Sequence, residues 1–352
     1  MTSDYRGSCE VRVIDVQAWR PPTDRPVGSD PAIQLHLNFW RKRKLVQPIV
    51  VFLVLAALMF LLHAGFSMLG LLFLVAAAMS VTALFQFRSR VGWWLKAAPS
   101  LLDGAPAMRV RSEAVGGEGT QTLLSIEGGR LCLRVTNTES AVRQFLARQS
   151  EVWLVGPNAD GVAAVLVDGV PAPIPARVVP APATPHPVPV TDEDLPRWAA
   201  ARAARVVWAS IAFVGLAGAS LLFDLLLSID GWTAATIGFF VVLAAALIAS
   251  PFRRGDQHRM VKLLGNGPWQ AYPVQLLSWG GNPAVIGKLR LALTLPDGSQ
   301  LPVTVRVGPA WLVANITATG YLWVAGPPRP GESTVVGLPG YPQIAAARYR
   351  EF

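Results

Sequence analysis

The chain has 352 residues, 52% of them hydrophobic and 15% charged, with a formal net charge of +9 and two cysteines. An ordinary globular domain carries about a quarter charged residues, and the apolar excess excludes a disordered chain or a disulfide-stapled secreted scaffold. The apolar residues are bunched: 45–87 contains no Asp, Glu, Lys or Arg, and 206–252 contains only Asp224 and Asp230. Runs of this kind read as membrane spans and speak against a soluble enzyme.

Residues 1–44 mix charges with prolines and lack the apolar stretch of a signal peptide. A strand-like patch covers 11–19, and the rest of this cytoplasmic segment reads as partly disordered. As one helix, 45–87 would be about 65 Å long, twice a hydrocarbon core of about 30 Å. It therefore divides, at the small and polar residues His63 to Ser67, and 206–252 divides at Ser228 to Gly231. The predicted spans are 48–64, 68–87, 207–227 and 232–251, four transmembrane helices in two hairpins. Fourteen Lys and Arg residues flank the span ends on one side: 41–44, 88, 90, 96, 197, 202, 205, 253, 254, 259 and 262. The hairpin turns hold none, so the positive-inside rule puts both termini in the cytoplasm of a bacterial inner membrane.

Between and after the hairpins the periodicity becomes strand-like. In the first unit, 88–178, strands are predicted at 108–114, 121–127, 130–136, 152–155 and 162–167, with a helix at 139–148. A Pro-rich spacer begins at Pro171 and leads through 179–194 to a helix that starts near Asp194 and enters the third span at 195–252. In the second unit, 253–352, strands are predicted at 271–279, 288–295, 301–307, 321–325 and 333–338, with a helix around 309–317. Pro296-Asp297-Gly298 marks a hairpin turn.

The two units resemble each other at an offset of 170. Trp153-Leu-Val-Gly156-Pro157 matches Trp323-Val-Ala-Gly326-Pro327, and one residue of slippage later Pro171–Arg177 matches Pro342–Arg348. An internal tandem duplication suits a pseudo-symmetric assembly. Three strands, a helix and two strands is the order of an OB-type barrel, with an SH3-like barrel as competitor. The predicted fold is thus a helical membrane protein with two small cytoplasmic all-β domains, in whose cores Trp153, Gly156, Trp323 and Gly326 hold equivalent places.

Catalytic templates fail. Gly281 to Gly287-Lys288-Leu289 spaces its glycines one residue too widely for a phosphate loop, lacks the Ser or Thr after Lys, and loses an amide at Pro283. His36, His63, His186 and His258 form no metal pattern, and Cys9 and Cys132 read as reduced structural thiols. No cofactor, metal or catalytic residue is expected, and the chain reads as a non-enzyme. The polar candidates in the spans are His63 and Asp224, near the outer helix ends. Gly215 with Ala219, and Ala234 with Gly238, form small-residue stripes suited to helix packing.

The Trp153 and Trp323 strands with their Gly/Pro-rich sequels resemble uncharacterised actinobacterial membrane proteins that repeat a two-helix hairpin and a small β domain. The architecture is more loosely similar to the NfeD family, a resemblance that implies helices before an OB barrel and stomatin-like partners. The expected function is a scaffold: a lipid bilayer around the spans and a protein partner on the β domains, with a homo-oligomer as a further association. The alternatives are a small channel or transporter built from the spans, and a membrane-tethered OB-type nucleic-acid binder. Nucleic acid is disfavoured, because 88–177 carries ten basic against eight acidic residues.

Overall fold

A computed structural model describes residues 18–42, 46–62, 68–117, 121–136, 140–182, 195–205, 257–280 and 286–350, with 184, 208 and 212. The predicted spans at 207–227 and 232–251 lie outside the described residues, apart from the isolated positions 208 and 212.

Three helices precede the first barrel. Helix α1 (Pro31–Lys42) starts on a proline, where a missing amide costs nothing, and Asp30 Oδ1 accepts the Ala32 N–H at 2.8 Å. It buries Ile33 and Leu37, one turn apart, so residues 18–42 pack where a loosely ordered segment is expected. Helix α2 (Val46–Leu62) and helix α3 (Met68–Gly104) pack along each other, with the rings of Phe52 and Phe73 stacked 6.4 Å apart.

This arrangement corrects the four-span architecture. Among the described residues no helix is long and apolar enough to cross a membrane. With its 17 residues, α2 reaches about 25 Å. Helix α3 does not stop at residue 87 but runs 37 residues, taking Arg88, Arg90 and Lys96 into its length. Its second half buries Val91, Trp94, Ala98, Leu101 and Leu102 against the first barrel. The positive residues read as topology signals therefore sit partly on a helix that belongs to the barrel wall. The assignment to a bacterial inner membrane with cytoplasmic termini falls with the spans on which it rested. Apolar side chains of α2 and α3 nonetheless remain exposed, Leu61 at 77%, Met79 at 69% and Phe85 at 74% among them.

The first barrel contains β1 (Met108–Gly116), β2 (Gln121–Ile126), β3 (Leu131–Thr136), helix α4 (Ser140–Arg148), β4 (Glu151–Val155), β5 (Val162–Val167) and β6 (Val170–Val178). The second contains β7 (Trp269–Gly280), β8 (Ile286–Thr294), β9 (Gln300–Pro309), helix α5 (Ala310–Thr319), β10 (Tyr321–Ala325), β11 (Ser333–Gly337) and β12 (Ile344–Tyr349). Both close, in the orders β1-β2-β3-β6-β5-β4 and β7-β8-β9-β12-β11-β10. The two orders are the same, so the duplication read from the Trp-containing strands extends through the whole topology. Each barrel is two antiparallel three-stranded meanders joined by a helix.

The sixth strand corrects the five-stranded OB and SH3-like expectation. In β6, Pro171, Pro173 and Pro175 fall on alternate positions, so their missing amides point to one side. That side is free: β6 pairs with β5 from Val170 to Arg177 but with β3 only over Ala176–Val178. Proline at alternating positions of a strand is thereby compatible with closure. The start of the predicted spacer is a barrel strand.

Where the outer face of a strand is wet, buried and exposed residues alternate along much of its length. On β8, Leu289, Leu291 and Leu293 are fully buried while Lys288 and Arg290 face out. On β5 all six residues are buried. Ala163, Val165 and Val167 fill the barrel, and Val162, Ala164 and Leu166 pack beneath α3. The second barrel has a matching cover, in which Ala200 of the helical stretch 195–205 and Met260 of a short helix (Met260–Leu263) pack on Ala325 and Val335. The Pro296-Asp297-Gly298 turn forms as predicted. Asp297 Oδ1 accepts from the Ser299 amide and hydroxyl, which lower the carboxyl pKa, and Gly298 takes φ +81°.

Two expectations follow. Gly156 and Gly326 end β4 and β10 at φ +87° and +80°, and an added Cβ would come within 2.8 Å of Leu101 and 2.9 Å of the Asn266 carbonyl. Replacing either by Ala destabilises the protein by about 1–3 kcal/mol, measured by urea unfolding. His36 on α1 has its pKa lowered by burial to about 4. The unfolded chain then binds this proton more readily than the folded one, so stability is complete above about pH 6.5 and declines as pH falls toward 4. Thermal melts across that window show the decline, and His36→Gln flattens it.

Candidate functional site

Two places stand out among the described residues: the junction between the barrels and one outer face of the second barrel.

The junction is built on Asn315, 4% exposed, on α5. Its Nδ2 donates to the carbonyl of Gly169 at 2.7 Å and of Trp311 at 2.8 Å, and its Oδ1 accepts the Trp19 N–H at 2.9 Å. The Gly169 N–H donates in turn to the Trp19 carbonyl at 2.7 Å. One amide thus ties together the second barrel, the β5–β6 turn of the first and the N-terminal segment. Gly169 sits at φ +76° with Leu338 so close that a Cβ would lie 2.3 Å from its Cδ1. Reciprocally, Phe145 on α4 meets Tyr341, from the β11–β12 connection of the second barrel, with ring centroids 4.6 Å apart. Phe145 and Asn315 stand at the repeat offset of 170, on equivalent helices. Each barrel's helix therefore touches the other barrel's last turn, the pattern of a two-fold, self-complementary contact.

Polar groups line this contact. Asp168 accepts the Trp153 Nε1–H at 2.6 Å and lies 3.6 Å from Arg20. Burial, followed by the Asp168 charge, pushes the Tyr341 hydroxyl up to about 12, so it stays protonated as a donor across physiological pH. Of the sequence candidates, Trp153 and Trp323 occupy equivalent strands but differ in partners. Trp153 bonds Asp168 and carries Arg109 5.8 Å from its ring, whereas the buried Trp323 Nε1 has no partner among the described residues. Gly156 and Gly326 are structural turn positions. His63, Asp224, Gly215, Ala219, Ala234 and Gly238 lie outside the described residues, as does Cys9. Cys132 is buried, and burial raises its thiol pKa.

The second place is a groove of about 930 Å³ lined by Lys288, Thr304, Arg306, Gly331, Arg348, Tyr349 and Arg350. Strand register explains the convergence. Thr304 of β9 stands opposite Arg290 of β8 on one side and Arg348 of β12 on the other. Residues two apart on a strand share a face, so Lys288 joins Arg290, Arg306 joins Thr304, and Arg350 joins Arg348. All five cationic side chains are exposed, and none makes an ion pair with a described carboxylate. The neighbouring carboxylate, Glu332, lies 3.7 Å from Arg329.

No family model, curated protein or solved structure matches the chain. Function therefore has to be argued from these surfaces.

Charge balance in the first unit gives no hint of the basic face. The signal lies in 257–350, with eight Lys and Arg against two acidic residues, Asp297 and Glu332. The phosphate-loop pattern ends differently from its template, because Lys288 lies on strand β8 rather than at a helix start. Among the described residues no group of three or more His, Cys, Asp or Glu could hold a metal.

Asn315→Ala removes three hydrogen bonds and leaves a buried carbonyl and amide unpaired. It lowers stability by about 2–4 kcal/mol in urea unfolding. The same variant exposes the segment around Trp19 to proteolysis at protease concentrations that leave the parent intact.

Proposed function

We propose that the protein is a non-enzymatic scaffold in which two barrels, joined as one body, present surfaces to a protein partner. The observation that carries this reading is the reciprocal junction of Asn315 with Gly169 and Phe145 with Tyr341. A buried, polar, self-complementary contact fixes two binding modules in one relative placement, which is what a scaffold requires and what catalysis within one barrel does not. Alongside it, α2 and α3 carry a row of exposed apolar side chains, including Leu53, Val54, Leu74 and Val75. Large apolar side chains exposed in this number on two packed helices support an interaction site there. The partner this surface suits is a protein presenting an apolar helical face, with the barrels fixing its orientation.

The test places a photo-crosslinking amino acid at Leu53, Leu74 and the exposed barrel position Leu277 in the full-length chain, in its native cells. A scaffold gives one and the same heterologous partner from the α2 and α3 positions, lost on Asn315→Ala while the chain itself remains abundant. Crosslinks solely between copies of the chain would replace this reading by a homo-oligomer. A separate expectation concerns the exposed face itself. Replacing Leu61, Met79 and Phe85 by Gln reduces self-association of the purified protein in size-exclusion chromatography and changes unfolding stability by less than about 1 kcal/mol.

A further inference from the structure

The basic face of the second barrel goes beyond what the two barrels share. Aligning the two barrels by strand register puts Gln121, Leu123 and Thr136 of the first where the second has Lys288, Arg290 and Arg306. The same registers put Arg134 at Thr304 and Arg177 at Arg348. Arg177 is already engaged, its guanidinium 4.3 Å from the centroid of the Trp93 ring on α3. The first barrel therefore carries neutral residues at three of these five positions and two arginines at the others, whereas the second carries cations at four of the five.

Gathering them is unfavourable without a counter-charge. Four like charges around one groove repel each other, and the one carboxylate beside them, Glu332, is paired with Arg329 rather than with any of the four. A multivalent anion would do so, and the side-chain types indicate which kind. Guanidinium groups bind phosphate oxygens in paired, parallel hydrogen bonds. Thr304, which lines the groove, pairs across the strands with Arg290 and Arg348, and Gly331, at φ +79°, adds backbone to the lining without a side chain. Single-stranded nucleic acid fits less well, because such grooves add exposed aromatic rings for base stacking. The aromatic residue lining this groove, Tyr349, is 2% exposed and belongs to the barrel core.

We propose that the groove formed by Lys288, Arg306, Arg348 and Arg350 binds a compact oligophosphate, either a free chain or the phosphate chain of a nucleotide. This inference is independent of the scaffold reading, since the groove and the α2–α3 surface share no residue.

The experiment is titration calorimetry of the full-length protein with inorganic tripolyphosphate at about 150 mM salt, with orthophosphate, ATP and a fifteen-residue oligothymidylate as parallel probes. The expected result is saturable one-to-one binding of tripolyphosphate, at least tenfold tighter than orthophosphate and weakening as salt rises. The double variant Arg306→Gln, Arg348→Gln loses at least tenfold in affinity while keeping the parent's thermal melt in the absence of ligand. Arg306→Lys, Arg348→Lys recovers part of that loss, because charge is retained while paired hydrogen bonding is not. Arg109→Gln and Arg111→Gln, on the first barrel, leave binding unchanged. Equal affinity for tripolyphosphate and ATP identifies a free chain, and tighter ATP binding identifies a nucleotide; both support the site. Absence of saturable binding at millimolar tripolyphosphate overturns the proposal. So does affinity that survives the double glutamine variant, or an oligothymidylate that binds tenfold more tightly than tripolyphosphate.

Discussion

One buried side-chain amide holds the relation between the two halves of this molecule. Asn315 has a donor pair and an acceptor to satisfy, and it satisfies them on three different pieces of chain: its own helix, the β5–β6 turn of the other barrel, and the N-terminal segment. A buried amide that lost any of these would keep its desolvation cost without compensation. The geometry is therefore far more specific than apolar contact alone would make it. Gly169 allows the approach, since a side chain at its φ would both strain the turn and strike Leu338.

The junction also explains why the two barrels are alike inside and different outside. Their interiors answer to the same constraint, filling a six-stranded closed barrel with Leu, Val and Ala. Their outer walls answer to different neighbours. The first barrel's β5 is sealed on both faces because α3 lies over it, which is why Val162–Val167 reads as a continuous apolar run. The second barrel leaves β8, β9 and the end of β12 open to solvent, and there the cations accumulate. At the Trp positions the same divergence shows: one indole bonds Asp168, the other stands where the equivalent turn offers Leu338.

Much of the barrel architecture was legible in the residues. Ten of the twelve strands follow from period-two alternation bounded by glycine turns, and the helices α4 and α5 from their place between strands three and four. The two sixth strands were hidden for opposite reasons. In β6 the prolines at 171, 173 and 175 imitate an extended linker, and their compatibility with a strand depends on which neighbour is paired, a tertiary fact. In β12 the run Ile344-Ala-Ala-Ala-Arg-Tyr349 has little intrinsic strand preference and is ordered by β9 and β11 on either side. The repeat at Pro171–Arg177 and Pro342–Arg348 was visible, yet similarity alone does not say that a segment is a strand. Hydropathy misled at α3, where an apolar first half conceals that Val91, Trp94, Ala98 and Leu102 continue the same helix onto the barrel. The basic groove escaped because its members come from three strands separated by some sixty residues, and adjacency across a sheet is written in register rather than in sequence.

The reciprocal contact has a consequence for how such a molecule can change. Two separate chains meeting about a true two-fold axis must carry every substitution twice, once in each subunit. Cations acquired by one would appear on both. Joining the copies in a single chain removes that obligation while keeping the interface that the symmetric pair would have had. Each half can then be altered alone, and what results is a pair with one distinguished member: a body with a front and a back, able to hold a single anion per molecule and to be approached from one side only.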